Sequence, residues 1–453
     1  MHKIQLVNSR SIPNDVLTDK WYTPLNLIWI ANYIEANGIT TQILDGVSSN
    51  FEEMLDKLDA PIVGVNFNYL SIENLDKLLK VAKNKGSFTV VGGQAATFLA
   101  KQLLQNNMDI DAVVIGDGEE AMLQLAIRAN KGIPSFEGIP NLAYRNGDDI
   151  VFSTQKQMDL TKLPFPDRRV AGLEMDEYIS KYYESNTDPA MDNVRVTNAY
   201  MKKGCLRRVA DKGCSFCARI DRGLRSKTAL QAYDEYSYLV KEFKIDYIYD
   251  DSDSWVDGPW MRSLANIYQQ RGEVKAKLRV YADVRDITED NVSIMKDLNV
   301  DTVLVGVESG DEHILRRNGK PMTKEMIVKA AKLLGHAGIK MCDAYVLGLI
   351  GETRTSVNAT TSLAQQLSNY CEKRITYWNV MMPLPGSPVW REMMQISMLR
   401  DKYGDKYKFD VEEVQKDYVD CFCHLGSDGY EYLKNTSERL QADQNIPLRK
   451  YIR

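Results

Sequence analysis

Along the first 130 positions, short apolar runs alternate with stretches whose apolar residues recur at helical spacing. Lys3 to Val7 is the first run, and Leu25, Ile28, Trp29, Ala31 and Ile34 then keep a mostly helical rhythm that stops at Asn37-Gly38. The pattern repeats. Thr41 to Leu44 reads as a strand, 51–58 as a helix and Pro61 to Phe67 as a strand, and Ile72, Leu75, Leu78, Leu79 and Ala82 share one helical face. Phe88 to Gly93 and Ala112 to Ile115 follow as strands, each leading into a helix, the last of which ends at Lys131-Gly132. Strands that are nearly all apolar need cover on both faces, which predicts a parallel sheet in an open α/β domain. Glycines 92, 93, 116 and 118 come directly after strands, where such sheets bind ligands, although tight left-handed turns explain them about as well.

Residues 133–193 carry Pro134, Pro140, Pro164, Pro166 and Pro189 and a hairpin signal at Asn146-Gly147, and read as an ordered linker crossing between domains. From 194 the alternation restarts, with strand candidates at 194–198, 245–250, 278–282, 302–307, 339–347 and 376–382. Six βα units in about 200 residues predict a curved, partly closed barrel whose site lies at the strand C-termini. The tail from 391 is helical and charged. Its Cys421-Phe422-Cys423-His424 reads either as partly buried thiols or as part of a second metal site lacking one ligand. The expected domains are therefore 1–132, a linker 133–193, a barrel 194–390 and a helical region 391–453.

Composition narrows the function. A net charge of -5 and a pI near 5.7 argue against a surface built for nucleic acid, leaving a small-molecule or peptide substrate. No run approaches the ~20 apolar residues of a membrane span, and Met1 to Leu6 begins a strand rather than a signal peptide, so a cytoplasmic protein with no membrane partner is expected. Gly-x-Gly-x-x-Gly is absent after the first strand, which disfavours a nicotinamide oxidoreductase.

The chemistry concentrates at Cys205, Cys214 and Cys217, three of the seven cysteines within thirteen residues. Three thiolates on one loop can hold three irons of a [4Fe–4S] cluster and leave the fourth open. Gaps of eight and two residues fit neither a four-cysteine zinc site nor a disulfide framework. A Cys-x-x-Cys redox pair with a bystander, or unrelated buried thiols, are the plainer alternatives.

Several stretches together resemble a known family, the radical S-adenosylmethionine (SAM) enzymes that carry a B12-binding domain. Gly204-Cys205 and Cys214-Ser215-Phe216-Cys217 stand where that family has Gly-Cys-x3-Cys-x2-Cys. Val305 to Leu315, with Glu308-Ser309, resembles the fourth-strand motif, Val346 to Thr353 the fifth-strand motif, and Pro383 to Pro388 the sixth-strand turn. Val91 to Thr97 and Val114 to Glu120 resemble the loops around the corrin and its nucleotide tail. Two features depart from the pattern. The eight-residue gap means that either Cys205 is still the first ligand on a longer loop, or the cluster is held differently. The second-strand Gly-Gly-Glu is replaced by Tyr249-Asp250-Asp251-Ser252-Asp253.

The resemblance implies an α/β chain with an N-terminal Rossmann-like B12-binding domain, a partial (β/α)6 radical SAM barrel and a helical C-terminal region. It implies a [4Fe–4S] cluster on Cys205, Cys214 and Cys217. It also implies SAM contacts from Phe216, Gly348, Glu308, Ser309 and one of Asp250, Asp251 and Asp253. Arg279, Tyr281, Asp283 and Arg285 end the third barrel strand, where SAM or substrate would be reached, although alternating charged residues there read equally as a solvated face. Cobalamin would be met by Gly92, Gly93, Gln94, Thr97, Gly116, Asp117, Gly118 and Glu119. Asp-x-His-x-x-Gly is missing, so the lower corrin face would lack a histidine and be met by Asn66, Asn68, Tyr69 and Leu70. The activity implied is methyl transfer from methylcobalamin to a substrate radical formed by a 5′-deoxyadenosyl radical, with electrons from a flavodoxin or ferredoxin. A non-methylating reaction with the same cofactors is the alternative, and a corrin-binding sensor a further one.

Overall fold

The structure, a computed structural model, describes residues 4–8, 21–47, 50–69, 72–131, 135–186, 188–208, 213–221, 223–371 and 374–443. The chain forms two compact units. The first comprises residues up to Ser185 together with Arg400–Phe409, and the second holds Asn186–Leu399 and the chain from Asp410.

In the first unit, β1 (Ile4–Asn8), β2 (Thr41–Asp45), β3 (Ile62–Asn66), β4 (Phe88–Gly92) and β5 (Ala112–Val114) pair in parallel in the order β2-β1-β3-β4-β5. Their two-residue period feeds two cores. Val7, Val63, Val65, Val91 and Val113 face helices Ile72–Asn84 and Gln94–Asn106, whereas Ile4, Leu6, Ile62, Val90 and Val114 face Leu25–Glu35 and Glu119–Asn130. This is why the strands read as unbroken apolar runs. Gly64 sits mid-strand because a Cβ there would come 3.0 Å from Met122, so its absence lets helix Glu119–Asn130 pack closely.

The proline-rich stretch differs from its expected role as a crossing linker. It contains β6 (Leu142–Asn146) and β7 (Asp149–Phe152), a hairpin turning at Gly147 that pairs antiparallel with β5 and extends the same sheet. Helix Met175–Ser185 then buries Met175, Tyr178, Ile179 and Tyr182. Prolines mark turns but do not say whether the turns pack, and here Leu142 and Ala143 cover the open edge of β5.

In the second unit, β8 (Val196–Ala199) leads to a small antiparallel hairpin, β9 (Lys202–Gly204) with β10 (Leu224–Ser226). The strands β11 (Tyr247–Asp250), β12 (Lys277–Ala282), β13 (Val300–Glu308), β14 (Lys340–Leu347) and β15 (Arg374–Val380) then join β8 in one parallel sheet, ordered as in the chain. A helix separates each consecutive pair, so every βα unit steps one place further round, and all the strand ends that can build a site lie at one rim. Helix Gly429–Ala442 closes the β15 edge: Gln441 Oε1 accepts from Trp378 N at 3.1 Å and Ser437 Oγ donates to Trp378 O at 3.0 Å. Not all of the tail stays in this unit. Gln102 Nε2 donates to Gly404 O at 2.8 Å, Tyr407 OH donates to Asp76 Oδ1 at 2.9 Å, and Tyr407 is buried in the first unit's core.

Candidate functional site

The cysteine loop starts from β9. Gly204, at φ 91, pairs with β10 so closely that a Cβ would lie 2.1 Å from Gly223 O, and Cys205 follows at once. The other end is pinned by Asn318, the C-cap of helix Glu312–Arg317, which is 1% exposed. Its Oδ1 accepts from Ser215 Oγ at 2.6 Å and from Ile350 N at 3.1 Å, and its carbonyl accepts from Ser215 N at 3.0 Å. Asn318 thereby ties Cys214 and Cys217 to the loop after β14. Gly319, at φ 72, lets Gly213 lie against it, since a Cβ there would meet Gly213 O at 2.1 Å. Of the insertion Leu206 to Gly213, residues 209–212 lie outside the described residues.

The thiols of Cys205, Cys214 and Cys217 are free and partly buried. Burial pushes Cys214 up to about 12, against the pull of Lys320, and raises Cys217 against Arg219 and Arg208. Arg207 N lies 3.4 Å from Cys205 Sγ and Arg208 Nη1 3.8 Å from Cys217 Sγ, and the charge of Lys320 acts on Cys214, so each sulfur has an N–H donor or a cation bearing on it. Among the described residues no three Asp, Glu, His or Cys side chains converge on one metal ion. Cluster thiolates each bind a different iron, so they need not converge in that way.

The acidic stretch after β11 divides its labour. Asp250 is fully buried, accepts from Tyr236 OH and Ser252 N, and holds Ser252, whose Oγ accepts from Met201 N and Lys202 N at 2.8 and 2.9 Å. Asp253 accepts from Arg219 at 2.7 Å, Tyr200 OH at 3.0 Å and Gly204 N at 3.3 Å, touching the chain on both sides of the cysteine loop. Asp251 is half-buried beside them. Two of the three aspartates thus hold the approach to the loop, and Phe216 lies half-buried within it.

Across the rim, Glu308 ends β13 at φ 65 and accepts from Lys320 Nζ at 2.6 Å. Gly306 makes the room, because a Cβ there would lie 2.3 Å from Glu308 Oε1. Asp283 takes a bidentate contact from Arg285 at 2.7 Å to each oxygen. Burial would raise its carboxyl, but Arg285 and the charge of Lys320 hold it down at about 2. Ser309 is fully buried with its Oγ 3.2 Å from Thr360 Oγ1, so its hydroxyl braces helix Arg354–Leu367. Gly348, at φ 89, donates to Glu352 Oε2 at 3.2 Å and accepts from Tyr418 OH at 2.8 Å beneath the tail helices. Cys423 Sγ also meets Gly348 O, at 3.5 Å, so that thiol packs on a backbone carbonyl.

In the first unit the strand order reverses between β1 and β3, the place where open α/β sheets receive ligands. A polar chain runs along that edge. Asn26 Nδ2 donates to Asn66 Oδ1 at 3.0 Å, Asn66 Nδ2 to Asn8 Oδ1 at 3.1 Å, and Tyr178 OH to Asp45 Oδ2 at 3.0 Å. Thr97 joins the two glycine loops, donating to Gly93 O and accepting from Gly116 N, both at 3.0 Å. Gly93 lies so near Asn66 and Phe67 that a Cβ would fall 2.6 Å from Phe67 O. Gln94 is exposed, Gly92, Asn68 and Asp117 are half-buried, and Gly118 and Glu119 are buried where helix Glu119–Asn130 begins. Tyr69 packs on Phe409, and Leu70 lies outside the described residues.

A family described as "B12 binding domain" matches residues 19–126, and one described as "Radical SAM superfamily" matches residues 202–364. The chain carries a B12-binding domain followed by a radical SAM domain. This B12-binding radical SAM chain is 23% identical over 397 residues to an uncharacterized methyltransferase of Pyrococcus horikoshii, covering 85% of this chain and 81% of that protein. It is 24% identical over 416 residues to the anaerobic magnesium-protoporphyrin IX monomethyl ester cyclase of Rubrivivax gelatinosus, covering 88% and 71%. Its fold is shared with the radical SAM methyltransferase TsrM from Kitasatospora setae, at a TM-score of 0.72 and 17% identity over 87% of this chain and 79% of that one. The cobalamin-dependent radical enzyme OxsB superposes at 0.74 and 15% identity over 98% and 66%.

The residues present fit the cofactors of such an enzyme. Three free thiols faced by N–H donors and cations suit a cluster, whose ligation requires thiolates. Amide groups at the switch point and the N-termini of helices Gln94–Asn106 and Glu119–Asn130 suit the amide-bearing rim and phosphate tail of a corrin. Sequence reasoning missed Asn318, Lys320, Thr360 and Arg219. Asn318-Gly319 was visible only as a helix stop, and the other three carry no local signal.

Proposed function

We propose that the protein is a cobalamin-dependent radical SAM methyltransferase acting on a small molecule. One observation carries this: three free cysteines sit on a loop locked to the β13 and β14 ends, in a chain whose other domain is of the B12-binding type. The extended similarity to a protein named as a methyltransferase supports the methylating form of the reaction. When bound, the cluster supplies one electron for reductive cleavage of SAM and cobalamin carries a transferable methyl group, chemistry beyond any acid–base side chain.

The chain's own residues bind and orient. Cys205, Cys214 and Cys217 hold the cluster, with Asp253 and Asn318 fixing the loop on either side. Glu308, Lys320 and Asp283 present charged groups to the SAM amino acid, while Asp250 and Ser309 brace the elements that carry them. Asn66, Asn68, Tyr69, Gly92, Gly93, Gln94, Thr97 and the turn Gly116 to Glu119 would receive the corrin. Free cysteines fit a reducing, cytoplasmic setting in which a flavodoxin or ferredoxin donates electrons. No helix among the described residues is long and apolar enough to cross a membrane.

The test is anaerobic reconstitution with iron, sulfide and hydroxocobalamin, followed by SAM. Corrin and cluster absorbance with release of S-adenosylhomocysteine is the expected outcome. Product formation by the Cys214→Ala, Cys217→Ala double variant would sink the cluster assignment. Release of 5′-deoxyadenosine with no S-adenosylhomocysteine would sink the methyl-transfer part alone.

A further inference from the structure

Arg279 lies on β12 with its side chain 6% exposed. Its guanidinium stacks 4.5 Å from the ring centre of Tyr249, its register neighbour on β11. Among the described residues, Nη2 has no hydrogen-bond partner and the side chain forms no ion pair. The ionisable groups that bear most on its charge are Cys342, Tyr377, Tyr281 and Tyr249, a thiol and three phenols with no carboxylate among them. Cys342 is on β14 and Tyr377 on β15, two and three strands from β12, so the curve of the sheet brings them over its concave face. Their strand neighbours Tyr345 and Trp378 point the other way and stack on each other at 4.5 Å.

A buried guanidinium is normally paired, because its five N–H groups and its charge both lose water. Arg279 has a ring beneath it and, among the described residues, no anion paired with it. The planar fork matches a carboxylate or phosphate in two parallel hydrogen bonds, which a carbonyl or hydroxyl ligand could not satisfy. The anion is not that of SAM: Asp283, at the proposed SAM rim, is four residues further along the chain, on the order of 13 Å at strand rise, and Lys320 and Arg285 already supply cations there.

We propose that Arg279 anchors an anionic substrate, one bearing a carboxylate or phosphate, held on the concave face of the second sheet among Tyr249, Tyr281, Tyr377 and Cys342. This rests on the radical SAM reading of the unit.

The experiment uses the full chain after reconstitution, with cluster and corrin absorbance recorded first, so that failure of cofactor loading is seen separately. Calorimetric titration with 3-phenylpropionate, 3-phenylpropionamide and inorganic phosphate then reads the anion site, and titration with SAM reads the rim. The wild type should bind at least one of the two anions at least tenfold more tightly than the amide, and the anion that binds tells carboxylate from phosphate. Arg279→Gln should abolish that preference, Arg279→Lys should keep part of it, and SAM affinity should stay within twofold in both. Arg279→Met should melt no lower than the wild type, since it removes an uncompensated buried charge. Equal binding of acid, phosphate and amide by the wild type overturns the proposal. So does a tenfold loss of SAM affinity in Arg279→Gln with anion binding intact, or a melting point of Arg279→Met lowered by more than about 5 °C, which marks a structural residue.

Discussion

Asn318 shows how much of a cofactor loop can hang on one amide. Its Nδ2 donates to Ile314 O at 2.9 Å and Ile350 O at 3.1 Å, while Oδ1 takes Ser215 and Ile350. Asn318→Ala leaves these buried groups unmet, at about 1–3 kcal/mol for each orphaned group. Expected are a lowered melting point and reconstituted iron well below that of the wild type, measured by iron and sulfide content. Full iron content would show that the loop holds its shape without Asn318. Glu352 gives a second prediction at this scale. Burial lifts its carboxyl from 4.5 to about 7, although Ser356 and Gly348 N donate to it. Between those values the folded state keeps a proton that the unfolded state has lost, so stability falls as pH rises through the window and stays lost above it. Glu352→Gln should therefore gain on the wild type by up to about 3 kcal/mol between pH 4.5 and 7, read as the difference in denaturant midpoints. A constant difference across that range would show that Glu352 does not titrate there. Of the residues at this scale, the cysteines were legible because their spacing is itself the signal. Asn318 and Lys320 were not, since Asn318 grips Ser215, 103 residues away, and Lys320 reaches back to Glu308 from beyond a turn that sequence reads only as punctuation.

At the scale of elements, the long parallel strands announced themselves through paired apolar faces, whereas β9 and β10 did not. Lys202-Lys203-Gly204 and Leu224-Arg225-Ser226 are three-residue strands with no alternation to read, and only tertiary packing defines them. The hairpin tolerates no side chain at Gly204. Gly204→Ala should cost more than about 2 kcal/mol, combining left-handed strain with a backbone collision, and should prevent stable cluster assembly. Gly38→Ala, at φ 79 with nothing within 4 Å, is the control and should cost only about 1 kcal/mol. Equal melting points for the two variants would show that the contact with Gly223 is not what demands glycine. The proline-rich segment was read as a linker for a related reason: turn signals were correct, and the edge that the hairpin covers was invisible in sequence.

For the whole molecule, the consequential feature is that the first unit is not contiguous in the chain. Tyr407 adds to its core, and Gln102, Asn106 and Asp76 fasten the returning segment. Tyr407→Ala should destabilise this unit by about 2–4 kcal/mol while sparing the second, a pattern readable as faster amide exchange confined to β1–β5. Uniform exchange across both units would argue against that partition. The same connection sets a timetable for synthesis. Ser185 and Phe409 are roughly 220 residues apart, so at 5–20 residues per second the corrin-type domain waits about 10–45 s for its last core residue to be translated. By then the strands of the second sheet have all been translated, and only the helices that close the second unit remain to be made.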